Sequence, residues 1–134
     1  EERNRPCLKQ PYRPAVKSFH YQTPKVEEIE TGLQLVSGKS IYHFGTTSTW
    51  SAGPLEIENQ GVICVSPADA VTVGIVDGAR VKLTSRIGTT SGPVRIDENL
   101  PNGLIFAPYH FSELDIQGLL DDGCNRIGVQ LAKV

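Results

Sequence analysis

The segment Gly45-Thr46-Thr47-Ser48-Thr49-Trp50-Ser51 carries five hydroxyls directly behind a glycine. Each hydroxyl can donate one hydrogen bond, and consecutive backbone amides in a turn can form a nest for an anion. Gly45 lets a ligand come close to the main chain. The chemistry such a segment offers is the binding of a polar, anionic molecule rather than the breaking of bonds. Composition alone does not require it, because Ser/Thr loops are mostly ordinary turns. Trp50 can stack on a flat ring or simply cover one end of the fold. His43 and His110 lie beside aromatic residues, where a histidine is more often a packed, hydrogen-bonded residue than a base or ligand. Arg86 and Arg95 offer the fixed fork of donors that suits phosphate, although solvated strand faces routinely carry such residues.

Several other chemistries are disfavoured. The three cysteines, Cys7, Cys64 and Cys124, form no Cys-x-x-Cys pair and lack the spacing of zinc or iron-sulfur ligands, so any cluster is expected elsewhere. Cys64 stands in the apolar run 62–65 and reads as a small buried hydrophobe. The odd count argues for a reducing, cytoplasmic compartment rather than a disulfide framework. Neither an Asp-Thr-Gly nor a Gly-x-Ser-x-Gly sequence occurs, which leaves a self-sufficient hydrolase without a recognisable nucleophile. No apolar run approaches the ~20 residues of a membrane span.

The elements that must position these residues begin after a distinct first segment. Residues 1–30 hold four of the nine prolines and no helical or alternating period, so they read as an extended linker. From Arg3 to Lys25 this linker has six basic residues and no acid, whereas the chain after Glu30 has seven bases against ten acids. Without a denser patch, a recognition helix or an aromatic platform, the basic arm reads as a solvated tether with no nucleic-acid partner. The chain opens without Met straight into this tether, as a piece of a longer polypeptide would.

With 39% hydrophobic and 21% charged residues, the remaining stretch 31–134 is suited to one globular domain with a real core. Strands are expected at 33–36, 41–44, 62–65, 80–84, 94–97, 104–107 and 128–134. Ser66-Pro67-Ala68-Asp69 opens a helix of about two turns: Ser caps the free N–H groups, Pro fits the first turn and Asp meets the positive end of the dipole. Gly74 would end it in the left-handed conformation. Asp77-Gly78 and Pro101-Asn102-Gly103 read as turns, and 112–120 as a short helix. Many short strands with one or two stubby helices point to a mainly β protein, a closed or nearly closed barrel.

Three segments, in order, resemble one family. Val65-Ser66-Pro67-Ala68-Asp69-Ala70 through Gly74-Ile75-Val76-Asp77-Gly78-Ala79-Arg80-Val81 and on to Ser85-Arg86-Ile87-Gly88 is similar to the central pattern of the molybdopterin dinucleotide-binding domain that ends formate dehydrogenases, nitrate reductases and their relatives. His43-Phe44-Gly45-Thr46-Thr47-Ser48-Thr49 resembles its His-x-Gly-Thr-x-Thr loop, and Gly103 through Phe111 its Gly-x-x-Phe-x-Pro-x-His-Phe segment.

The resemblance implies a double-psi β-barrel, with molybdopterin guanine dinucleotide held together with upstream domains of the same polypeptide. It implies that iron-sulfur clusters occur only in those upstream domains, and that other oxidoreductase subunits are partners. The implied cofactor-binding residues are His43, Gly45, Thr46, Thr47, Ser48, Thr49, His110, Phe111, Asn125 and Arg126, with no catalytic residue and no metal ligand in this chain. The opening 32–43 and the short ending also resemble the related barrel of NADH dehydrogenase large iron-sulfur subunits. That likeness implies an alternative, a structural barrel without molybdenum cofactor in an electron-transfer subunit.

Overall fold

A computed structural model describes residues 32–121 and 124–134; the expected linker at 1–30, with Cys7, lies outside the described residues. Seven strands form one sheet: β1 (Gln34–Gly38), β2 (Ile63–Val65), β3 (Arg80–Thr84), β4 (Thr89–Ile96), β5 (Leu104–Pro108), β6 (Arg126–Gly128) and β7 (Gln130–Lys133). Two helices, α1 (Ala52–Ile57) and α2 (Pro67–Val73), and two single 3-10 turns, Thr46–Trp50 and Ile116–Leu119, complete the order.

The sheet runs β6-β1-β5-β2-β4-β3-β7. Its two edge strands are consecutive in sequence and separated only by Val129, whose N–H donates to Leu33 O at 2.9 Å. β6 and β7 therefore act as one extended strand that pairs with β1 on one side and β3 on the other. This joins both ends of the sheet and closes a six-stranded barrel without a free edge. Two parallel pairs, β1/β5 and β2/β4, flank the antiparallel β2/β5 pair. The fold is the expected double-psi barrel.

Alternation accounts for the core. In β3, Val81 and Leu83 are fully buried between exposed Arg80 and Lys82, as period 2 requires. They meet Leu35, Ile63, Val65, Val94, Ile105, Leu114 and Ile127 inside the barrel. Gly92 makes room for this packing, because a Cβ there would collide with Leu114 Cδ2.

The helix at 66–74 forms as its sequence dictates. Ser66 Oγ accepts from the Asp69 N–H at 3.2 Å, Pro67 occupies the first turn, and Gly74 ends the helix at φ 71°. Asp69 does more than cap. Its Oδ2 accepts from the Ser66 hydroxyl at 2.6 Å and from the Gly103 N–H at 2.8 Å, tying the helix start to the turn that feeds β5. Asp77 Oδ1 accepts from the Ile96 N–H at 2.8 Å and so fixes the Asp77-Gly78 turn against β4.

Four expectations are corrected. Residues 41–44 are a turn, not a strand: the Ser40 hydroxyl accepts from the Tyr42 N–H, and Ile41 and Phe44 face outward while His43 alone turns in. The segment 112–120 is not an α-helix but turns plus the 3-10 turn Ile116–Leu119, with Gly118 inside it. β4 begins at Thr89, five residues before the expected 94, because Gly92 and Pro93 hide the alternation that both strand neighbours enforce. The closing strand expected at 128–134 divides at Val129 and ends at Lys133, leaving Val134 exposed beyond it.

Candidate functional site

The chain leaves the barrel at the end of β1, makes the 40–44 turn, and enters the 3-10 turn Thr46–Trp50 followed by α1. Gly45 stands at φ 157°, ψ −174°, a region open essentially to glycine alone. No atom lies within 4 Å of where its Cβ would be, so conformation rather than space demands glycine there.

Of the five hydroxyls of this segment, that of Ser51 makes no cap bond to α1, and the other four divide into two groups. Ser48 Oγ donates to Gly45 O and Thr49 Oγ1 to Thr46 O, each at 2.6 Å. These two stiffen the turn from within. Thr46 and Thr47 are exposed, with hydroxyls that bond to no other residue among those described. The outward donors are thus the two adjacent threonines, Ser51 and the first amides of the turn, ahead of its Ser48 N–H to Gly45 O bond.

His43 anchors the turn. It is 1% exposed, with Nε2 2.9 Å from Glu58 O and Nδ1 3.1 Å from Ser48 Oγ. A carbonyl only accepts, so Nε2 carries a proton and donates to Glu58 O, while Nδ1 lies beside the Ser48 hydroxyl, whose own proton goes to Gly45 O. One side chain therefore clamps the hydroxyl turn to the end of α1.

His110 is different. It is equally buried, yet neither ring nitrogen has a hydrogen-bond partner among the described residues. Its ring lies 5.1 Å from that of His43 and 4.6 Å from that of Phe111, and the His43 and Phe111 rings are 5.0 Å apart, edge to face. Burial pushes the His110 pKa down, and the neighbouring His43 pushes the same way. The ring is therefore neutral at pH 7, and its unpaired N–H carries a desolvation cost.

The structure brings together His43, Gly45, Thr46, Thr47, Ser48, Thr49, His110 and Phe111. Asn125 and Arg126 stand apart: the Asn125 carbonyl accepts from the Ser37 N–H at 2.8 Å, and Arg126 is exposed on β6 opposite Val36. Among the described residues, neither side chain hydrogen-bonds to the hydroxyl turn. Arg86 is paired with Asp121 across the surface. Trp50 is 78% exposed, so it does not cover the barrel of its own chain. Glu58 escaped the sequence reading, because it holds His43 through its backbone carbonyl, which leaves no residue-type signal.

The sequence profile of a family described as the molydopterin dinucleotide binding domain matches residues 33–129. The chain belongs to this family. The matched region runs from the residue before β1 to Val129, the residue between β6 and β7, and so takes in every strand of the barrel but β7.

Among its relatives, the NADPH-Fe(3+) oxidoreductase subunit alpha of Geobacter sulfurreducens is 38% identical over 100 residues, which is 73% of this chain and 12% of that protein. The F420-dependent formate dehydrogenase 1 subunit alpha of Methanococcus maripaludis is 29% identical over 99 residues, 72% of this chain and 15% of that protein. An NADH-quinone oxidoreductase subunit of Rhizobium meliloti is 28% identical over 91 residues, 68% of this chain and 11% of that protein. The chain therefore spans only about an eighth of its first curated relatives. Among solved structures, acetylene hydratase from Pelobacter acetylenicus superimposes with a TM-score of 0.67 at 17% identity, over 77% of this chain and 18% of that one. At that identity the likeness shows the shared fold. No helix among the described residues is long and apolar enough to cross a membrane.

Proposed function

We propose that this domain holds a molybdopterin guanine dinucleotide against upstream domains of an oxidoreductase large subunit of formate dehydrogenase type. The observation that carries this reading is the ordered hydroxyl turn. Thr46 and Thr47 present free donors, and the adjoining His43–His110–Phe111 cluster includes two imidazole nitrogens without partners. A pterin dinucleotide is rich in the acceptors these donors lack, so the residues present fit the group. Ile41, Phe44 and Trp50, flanking the turn, are 84%, 87% and 78% exposed; such apolar surface is expected to be covered by a neighbouring domain.

In this reading His43, Gly45, Ser48 and Thr49 shape the turn, Thr46 and Thr47 donate to the ligand, and the buried His110 and Phe111 support the turn from within. Asn125 and Arg126 would reach the dinucleotide only at its far end. When bound, the group supplies metal-centred redox chemistry; this chain binds and orients it and contributes no reacting atom. Iron-sulfur clusters and contacts to further subunits belong to the upstream part of the protein. The buried thiol of Cys64, outside any disulfide, suits a cytoplasmic setting.

The test is Thr46→Val with Thr47→Val in the intact oxidoreductase, reading metal content and pterin fluorescence of the purified enzyme. Loss of two hydrogen bonds to a charged ligand should reduce cofactor retention at least about tenfold. Full retention removes the reading. The inward bonding of Ser48 and Thr49 favours one alternative, a cofactor-free structural barrel of the NADH dehydrogenase kind. That alternative expects an intact protein with clusters, no pterin, and turnover indifferent to both substitutions.

A further inference from the structure

Outside the hydroxyl turn, one exposed segment carries covalent chemistry of its own. Of the five asparagines, Asn4, Asn59, Asn99, Asn102 and Asn125, only Asn102 precedes a glycine. In an Asn-Gly pair the main-chain nitrogen attacks the preceding side chain most readily, because glycine brings no Cβ to hinder it. The Gly103 nitrogen loses its proton and bonds to Asn102 Cγ, the Cγ–Nδ2 bond breaks, and ammonia leaves. Water then opens the cyclic imide at either carbonyl, giving aspartate or isoaspartate. Water is the one co-reactant, and nothing is oxidised or reduced.

The fold opposes this reaction at two points. Asn102 is exposed, and the Leu104 N–H donates to Pro101 O at 3.2 Å, closing a four-residue turn. Gly103, third in that turn, has φ 82°, whereas Asn102 is not among the residues of positive φ. This combination defines a type II turn, in which the second residue takes ψ of about +120°. The Gly103 nitrogen is then turned well away from Asn102 Cβ, while closure of the imide ring needs the two nearly eclipsed. That nitrogen is also engaged, since its N–H donates to Asp69 Oδ2 at 2.8 Å. The carboxylate fixes the orientation of the peptide and, by its charge, resists removal of the proton. Gly103 O in turn accepts from the Gln34 N–H at 2.8 Å. The starts of α2, β1 and β5 thus meet at this one residue.

We propose that Asn102-Gly103 is a self-modification site guarded by Asp69: when the turn opens and the Asp69 bond is lost, the chain deamidates there. The change runs one way. Isoaspartate lengthens the main chain between residues 102 and 103, and either product adds a carboxylate beside the peptide that Asp69 binds. The joint of α2, β1 and β5 then cannot close as before. Asp77-Gly78 differs in what holds it, because the Gly78 N–H donates to Val94 O at 2.9 Å, a main-chain carbonyl that no side-chain substitution removes.

Incubation of the 134-residue chain at mildly alkaline pH, followed by digestion and peptide mass analysis, tests the proposal. The readout is the mass gain of NH2 replaced by OH on the peptide holding residue 102, with the isoaspartate form resolved by retention time. Asp69→Ala should speed the reaction at least about tenfold, as expected when a charge-assisted bond no longer holds the turn closed. Asp69→Asn keeps an oxygen acceptor without the charge; it should fall between parent and alanine variant, and it carries the test if Asp69→Ala does not fold. Asp77→Ala, which weakens the barrel without touching Gly103, should stay within about twofold of the parent, because the opening is local. In urea the parent should react at least about tenfold faster than when folded. No mass gain at residue 102 even in urea removes the site. A folded parent that reacts as fast as in urea, or Asp69 variants that react no faster than the parent, removes the guard. Equal acceleration by Asp69→Ala and Asp77→Ala would mean that only global unfolding exposes the site, which also overturns the proposal.

Discussion

The segment from β2 to β4 and the face from Lys39 to Glu58 treat their polar residues in opposite ways. In the first, Ser66, Asp69 and Asp77 bond to backbone and to each other, so the most recognisable stretch of the sequence is occupied with building the barrel. In the second, among the described residues, the Thr46 and Thr47 hydroxyls have no partner, Lys39 and Arg95 form no ion pair, and large apolar side chains face outward. His110, packed against this face, keeps two unpaired nitrogens. Polar groups that satisfy one another stabilise a fold; groups left unsatisfied at one place mark where something else must bind. The central 65–88 stretch of the family pattern thus identifies the family through residues that hold the scaffold.

The sharpest way to break this contrast is Asp69→Ala. It removes a charged acceptor from the Ser66 hydroxyl and the Gly103 N–H, and it should cost about 3 kcal/mol. Urea melts should show a lower midpoint at unchanged slope, and the thermal midpoint should fall by at least about 10 °C. A near-neutral result would mean that the signature does not act through stability. Asp77→Ala loses a single bond, to the Ile96 N–H at an exposed turn, and should cost about 1 to 2 kcal/mol in the same melts.

Those two aspartates also show why the scaffold was legible in the sequence. Capping, turn chemistry and alternation act over a few residues, so Ser66, Pro67, Gly74 and the 80–84 strand declare themselves locally. Ile41-Tyr42-His43-Phe44 misled because apolarity signals burial only if something of the same chain covers it, and here Ile41 and Phe44 remain exposed. Arg95 looked like a solvated strand residue. Its orientation by Cys64 depends on the parallel β2/β4 register, a non-local pairing that no spacing within the sequence encodes. The same holds for Glu58, whose contribution to His43 is a backbone carbonyl.

His110 allows a test of whether the unsatisfied groups carry a measurable cost. Its folded-state pKa is lowered by burial and then by His43, so the unfolded chain takes up the proton more readily. Stability is then complete above the unfolded value of about 6.5 and is lost as pH falls below it, until the lowered folded value is reached. Chemical melts between about pH 5 and 8 should show this loss in the parent chain, and His110→Phe should flatten it. A slope unchanged in the variant would assign the acid sensitivity to other groups.

The smallest expected effect on stability is also the most diagnostic. Thr46 and Thr47 are exposed, and their hydroxyls bond to nothing else among the described residues. Thr46→Val with Thr47→Val should therefore leave the stability of the chain within about 0.5 kcal/mol of the parent, as surface substitutions without partners do. The turn's internal bonds use the Ser48 and Thr49 hydroxyls and the Gly45 and Thr46 carbonyls, all of which survive the change. Ser48→Ala, by contrast, removes a donor to Gly45 O and the partner of His43 Nδ1, and should destabilise by about 1 kcal/mol. If the threonine pair proves as costly as Ser48, those hydroxyls belong to the scaffold, and the division between building residues and binding residues does not run through this turn.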